Sequence, residues 1–212
     1  MRLLWFIPLL AQAIPAGITR NAVLENETVM IARLNMAPNA REQMHTHPFS
    51  AVVVQLGDGD VEMQQGEKKV TERRPAGHVE FIGAQVPHAA ANVGGAPFEV
   101  VTIALKPARR RGGDQPPTAA RPGISRAPLL ENADARVARA TFEPGAREPV
   151  HAHPFDMVVV QLDPGKMELL VGQERTVKEY AAGEVIFLPR EVPHSLANAG
   201  AREVTVISVT VR

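Results

Sequence analysis

The segment HTHPFSAVVVQL at residues 45–56 returns at residues 151–162 as HAHPFDMVVVQL. The offset of 106 residues is not confined to that segment. Leu24 through Lys106 aligns without a gap on Leu130 through Arg212, with 32 identities in 83 positions. An internal repeat of this length constrains a chain more than any other feature, because both copies must adopt one architecture and each must close a core. The sequence therefore divides into an N-terminal domain over 17–107 and a C-terminal domain over 128–212. The stretch between them, 108–127, is rich in Pro, Gly and Arg and has no apolar period, so it reads as a linker. Its prolines stiffen it, which favours two domains packed on each other.

Within each copy the apolar residues come in short runs of mostly period two, such as VVVQL, HVEFI and FEVVTIALK, punctuated by GDGD, QG, AG and VGGAP. No helical stripe is sustained. This is the pattern of an all-β domain, an antiparallel barrel or sandwich. Gln65-Gly66 and Gly172-Gln173 are expected at hairpin tips.

Composition excludes several classes of function. Acidic and basic residues balance and aromatics are few, which argues against a nucleic-acid partner. There is no cysteine, so disulfides and thiolate chemistry are ruled out. The first residues, MRLLWFIPLLAQAIPAG, place one Arg before an apolar run that ends in Ala11-Gln12-Ala13. Residues 1–13 are expected to be a signal peptide, giving an exported protein, periplasmic or secreted, or a cytoplasmic one if the segment is not cleaved. The run is too short for a membrane span.

The histidines carry the chemistry. Side chains two apart on a strand share a face, so His45 projects with His47 and His151 with His153. A third histidine follows about forty residues later in each copy, His88 and His194. Two ligands from one strand and a third from a neighbour can converge inside a small barrel as three neutral imidazoles around a metal. His78 matches Glu184 across the repeat and is expected to be a surface residue rather than a ligand. Strand alternation points Gln55 and Gln161 away from the barrel interior and Glu42 and Glu148 away from the first histidine of each copy, leaving the glutamates a supporting or surface ion-pair role. Phe49, Phe81, Phe155 and Phe187 are expected in the core.

The segments NAREQMHTHPF and GAREPVHAHPF resemble the first motif of cupins, and GHVEFIGAQVPHAAAN and GEVIFLPREVPHSLAN resemble the second. Two motifs in order, in both copies, resemble a bicupin. That resemblance implies two tandem double-stranded β-helix (jelly-roll) barrels, with His45, His47 and His88 matching the ligands of one metal site and His151, His153 and His194 those of the other. The sequence departs from the pattern in three respects. Cupin sites usually add a glutamate four or five residues after the second histidine, and here those positions are Ala51 and Val52, or Met157 and Val158. The opening glycine of the first motif is Asn39 in the first copy, and Gly83 stands where the second copy has Pro189. The cofactor implied is a divalent transition metal, Fe, Mn, Ni, Cu or Zn. An all-histidine site leaves the cation's charge uncompensated and favours a chelating anionic small molecule. The expectation is a metal-binding bicupin whose family membership does not fix an activity, with a metal-dependent dioxygenase as the first enzymatic reading; the rival readings are a non-catalytic small-molecule-binding module and a purely structural duplicate.

Overall fold

The structure is a computed structural model that describes residues 14–107 and 121–212. The expected signal segment 1–13 and most of the expected linker, 108–120, lie outside the described residues. The first copy forms β1 (Ile18–Glu25), β2 (Val29–Met36), β3 (Ser50–Gln55), β4 (Gly59–Gln65), β5 (Lys68–Arg74), β6 (Val79–Ile82), β7 (His88–Asn92) and β8 (Phe98–Leu105). The second forms β9 (Ile124–Glu131), β10 (Ala135–Phe142), β11 (Met157–Gln161), β12 (Gly165–Val171), β13 (Glu174–Tyr180), β14 (Val185–Leu188), β15 (His194–Asn198) and β16 (Val204–Val211). Each copy folds into a five-stranded and a three-stranded antiparallel sheet: β1-β2-β8-β3-β6 with β5-β4-β7, and β9-β10-β16-β11-β14 with β13-β12-β15. The fold is all-β, two tandem jelly-roll barrels, as the repeat and its punctuation predict. The hairpin expectation also holds. Gln65 pairs with Lys68 and Val171 with Glu174, leaving two-residue loops that open on Gly66 and Gly172 at φ +58° and +61°. A positive φ at the first loop residue is what a type II′ turn needs.

The inner strands of each large sheet are buried on both faces, which explains the unbroken valine runs. Leu34, Met36 and Val100 point into the N-terminal barrel's own core. Val29, Ile31, Val52, Val54, Val101 and Ile103 point the other way and meet Ala135, Val137, Val158, Val160, Ile207 and Val209 of the second copy in one shared core. The barrels thus pack sheet on sheet, with Phe81 and Phe187 against the seam. Phe49 and Phe155 are half-buried elsewhere. The contact repeats under the 106-residue offset. A Cβ on Gly77 would lie 2.6 Å from Arg139 and 2.8 Å from Leu162, and one on Gly183 would lie 2.6 Å from Leu56 and 3.0 Å from Arg33.

Strand β9 begins at Ile124, inside the stretch expected as linker, and Ile124–Ala127 pair with Phe142–Arg139. Pro128 is tolerated because β9 is an edge strand, and a register shift leaves Leu129 unpaired. The same shift occurs at Val23 in β1. The structural repeat therefore starts earlier than the aligned sequence, at Gly17 and Gly123, both in the left-handed region.

Candidate metal centres

The first two histidines of each copy lie just before β3 and β11, not within them, because Pro48 and Pro154 supply no N–H to a ladder. His45 instead forms a two-way backbone bridge with His88 at the start of β7 (N···O 3.0 and 2.9 Å), and His151 does the same with His194 at the start of β15 (3.0 and 2.8 Å). The second ligand is pinned from another side. Gln85 N–H donates to the His47 carbonyl at 2.8 Å, and Glu191 N–H to that of His153 at 2.7 Å. Gln85 and Glu191 both take φ of +59°, a left-handed conformation that costs a non-glycine residue about 1–2 kcal/mol. Both barrels hold this strain at the same place, beside the ligand, where such strain commonly serves a site.

The six histidines predicted as ligands form two triads. One ring nitrogen from each of His45, His47 and His88 lies within 4.8 Å of the others, and the same holds for His151, His153 and His194. The Nε2 atoms of His45 and His47 are 3.2 Å apart, those of His151 and His153 3.1 Å. Nδ1 of His45, His88, His151 and His194 each lies 2.8–2.9 Å from a backbone carbonyl (Gln43, Val86, Pro149 and Val192). A carbonyl only accepts, so these Nδ1 atoms carry the protons and Nε2 presents a lone pair. Nε2 of His194 is buried with no hydrogen-bond partner. Burial, reinforced by the neighbouring imidazoles, drops His47 and His153 to about pH 4. Burial also lowers His88 and His194. Ring nitrogens gathered within 4.8 Å of one another, with the tautomers of His45, His88, His151 and His194 set by backbone carbonyls, are the donor set a divalent transition metal takes, so the residues present fit such an ion.

Two readings from strand alternation change, and so does the placement of His78. Gln55 faces inward: Ala51, Val53 and Gln55 line the N-terminal cavity, while Val52 and Val54 join the core between the barrels. Its amide is occupied locally, donating to the Gly57 carbonyl at 2.9 Å, as Gln161 donates to Asp163 at 2.8 Å. Glu42 and Glu148 also turn inward, lining the cavities beside the histidines. The cause is a bulge. Arg41 bridges Ala91 and His45 bridges His88, so four steps on one side face three on the other, and the extra residue reverses the alternation. Arg147–Ala197 and His151–His194 repeat it. Each barrel thus has a carboxylate on its wall, although the position after the second histidine is apolar. Each carboxylate partly opposes the lowering of its third histidine, Glu42 at His88 and Glu148 at His194. Finally, His78 belongs to neither triad, as expected, but it is half-buried rather than on the surface.

The two cavities differ. Measured as the space open to the centre of a water molecule, the N-terminal one is about 60 Å³ and the C-terminal one about 20 Å³. In the C-terminal barrel Glu148 is 3% exposed and ion-paired with both Arg121 and Arg126. In the N-terminal barrel Glu42 Oε2 accepts the Ala90 N–H at 3.1 Å. Arg20, the counterpart of Arg126, lines the same cavity. Extending the 106-residue offset upstream of Leu24 would have found Arg20 and Arg126. Nothing in the sequence announces the bulge that turns the glutamates inward.

Comparison with known proteins agrees with this geometry. The cupin domain family matches residues 138–210. No sequence among the curated proteins matches the chain. Among solved structures, AerE from Microcystis aeruginosa superposes with a TM-score of 0.74 at 16% identity, over 94% of this chain and 95% of that one. Oxalate decarboxylase from Lactobacillus farciminis, solved as a formate complex, gives 0.73 at 12% identity, over 92% and 82%. Salicylate 1,2-dioxygenase from Pseudaminobacter salicylatoxidans gives 0.70 at 14% identity, over 91% and 76%. At these identities the likeness is one of fold.

Proposed function

We propose that this chain, a bicupin with a cupin barrel in each half, is a metal-dependent protein that acts on a small chelating anion, with dioxygenase chemistry as the activity to test first. The observation that carries the reading is the pair of three-histidine groups, each with one ring nitrogen from every member within 4.8 Å of the others. His45, His47 and His88 would hold one ion and His151, His153 and His194 the other. A bound Fe, Mn, Ni, Cu or Zn ion would supply Lewis acidity, and a redox-active one could also engage dioxygen. Cupin-fold structures described as a salicylate dioxygenase and an oxalate decarboxylase make small carboxylates a reasonable class to try.

The chain's own residues do the rest. The carbonyls of Gln43 and Val86 fix the proton on Nδ1 of His45 and His88 and keep Nε2 basic. Leu34, Met36, Val53 and Val100 give the N-terminal cavity an apolar wall. Glu42 is the group placed to accept a proton there. Its Oε2 is engaged by the Ala90 N–H, leaving Oε1 to take one from a bound acid or enol. The test is oxygen uptake by iron-loaded protein, without a histidine tag, given chelating carboxylates and β-diketones. Uptake that disappears with His47→Ala supports the reading. No turnover from protein with a full metal complement would reduce the chain to a metal-bearing binding module.

For residues 1–13 we propose a signal that exports the protein. The N-terminus of the mature protein, expected at Ile14, checks this.

A further inference from the structure

The two barrels share a ligand set but not an interior. At three matched positions the N-terminal barrel has Gln65, Arg74 and Glu80 where the C-terminal barrel has Val171, Tyr180 and Ile186. Arg74 is 6% exposed. Its Nε donates to Glu72 at 3.0 Å and its Nη1 pairs with Glu80, which also accepts from Gln65 at 2.9 Å. In the C-terminal barrel Tyr180, Ile186 and Val171 instead pack in that barrel's apolar core. The fold therefore does not require a buried ion pair at this place, and apolar side chains serve it at least as well. Arg74 also lines the cavity that holds His47 and His88, and its Nη2 makes no hydrogen bond among the described residues.

The wall charges point the same way. The charged residues lining the N-terminal cavity are Arg20, Arg74 and Glu42, and of the two arginines Arg74 is already paired with Glu72 and Glu80. Those lining the C-terminal cavity are Arg126 and Glu148, and Glu148 is shared between Arg126 and Arg121. Arg20 forms no ion pair among the described residues, whereas its counterpart Arg126 is committed to Glu148.

We propose that the barrels have divided their work: the N-terminal barrel alone receives substrate, a compact carboxylate anion held by Arg74 in the cavity that carries the first histidine triad, and the C-terminal triad is a metal site closed to it. This rests on the metal-binding reading above. An arginine fixed by Glu80 and Glu72 is preorganised, so it can engage a carboxylate without losing side-chain freedom at that moment. A cavity of about 60 Å³ admits a compact anion, and one of about 20 Å³ holds little more than a water molecule.

The experiment uses the full chain loaded with Cu(II) and read by electron paramagnetic resonance, with malonate and uncharged malonamide as probes. His153→Ala confines copper to the N-terminal triad and His47→Ala to the C-terminal one. Malonate is expected to shift the spectrum saturably only in His153→Ala, and malonamide in neither. The paired change Arg74→Tyr with Glu80→Ile installs the other barrel's residues. It should weaken malonate binding about tenfold or more with copper content unchanged. Should that pair fold poorly, Arg74→Gln with Glu80→Gln keeps the polar contacts and should weaken malonate as much. Undiminished malonate binding in these variants, or an equal response at the C-terminal triad, overturns the proposal while leaving metal binding intact. Failure to take up copper at all overturns the reading beneath it and the proposal with it.

Discussion

Each triad holds two histidines whose burial disfavours the protonated form, and that has a consequence for pH. Burial lowers His47 and His153 from the ordinary 6.5 to about 4 in the folded chain. The unfolded chain therefore binds more protons than the folded one between those values, so stability rises with pH across the window. The contribution is fully present above about pH 6.5 and is lost as pH falls through about 4. Metal-free protein followed by thermal melting should lose stability on acidification between pH 6.5 and 4, and bound metal should be released as pH falls towards about 4, where protons begin to compete for the lone pairs of His47 and His153. Removing both residues with His47→Ala and His153→Ala should flatten that part of the apo profile. A profile that keeps its slope would place the titration elsewhere.

At the level of elements, the strands were legible because their periodicity is two and their turns are marked by Gly, Pro and Asp. The six histidines were legible because paired spacing across a repeat is hard to produce by accident. What alternation could not give was direction. One extra residue between Arg41 and His45 reverses the face of Glu42, and nothing local in the residues marks a bulge. Alternation likewise points Gln55 away from the cavity that it lines, since one step of parity exchanges a barrel's interior for its interface. The glycines of the β5–β6 and β13–β14 turns show a constraint that comes only from the other barrel. Gly77 has φ of +77° and its missing Cβ leaves room for Arg139 and Leu162. Gly77→Ala should therefore destabilise by about 2 kcal/mol, through the left-handed backbone and the displaced seam together. Gly66→Ala has a similar φ and no atom within 4 Å of its Cβ, so it should cost less, about 1 kcal/mol. Equal losses in chemical denaturation would mean the seam contributes nothing.

At the scale of the molecule, duplication has produced two barrels that bury matching faces against each other and have since diverged inside. The shared core of Val52, Val54, Val101, Ile103 and their counterparts holds the pair together. The interiors kept six histidines and two inward glutamates, while one acquired Arg74 and Glu80 and the other Tyr180 and Ile186. Shared geometry at the triads with unshared chemistry around them is what two metal sites with different tasks would look like. The claim on which the rest depends is that both triads hold metal. Its most direct test is metal content per chain, by elemental analysis of protein purified without a histidine tag and equilibrated with transition metals. The account predicts two ions per chain, one in His47→Ala, one in His153→Ala and none in the double variant. No bound metal in the parent protein, or a content indifferent to these substitutions, would contradict it.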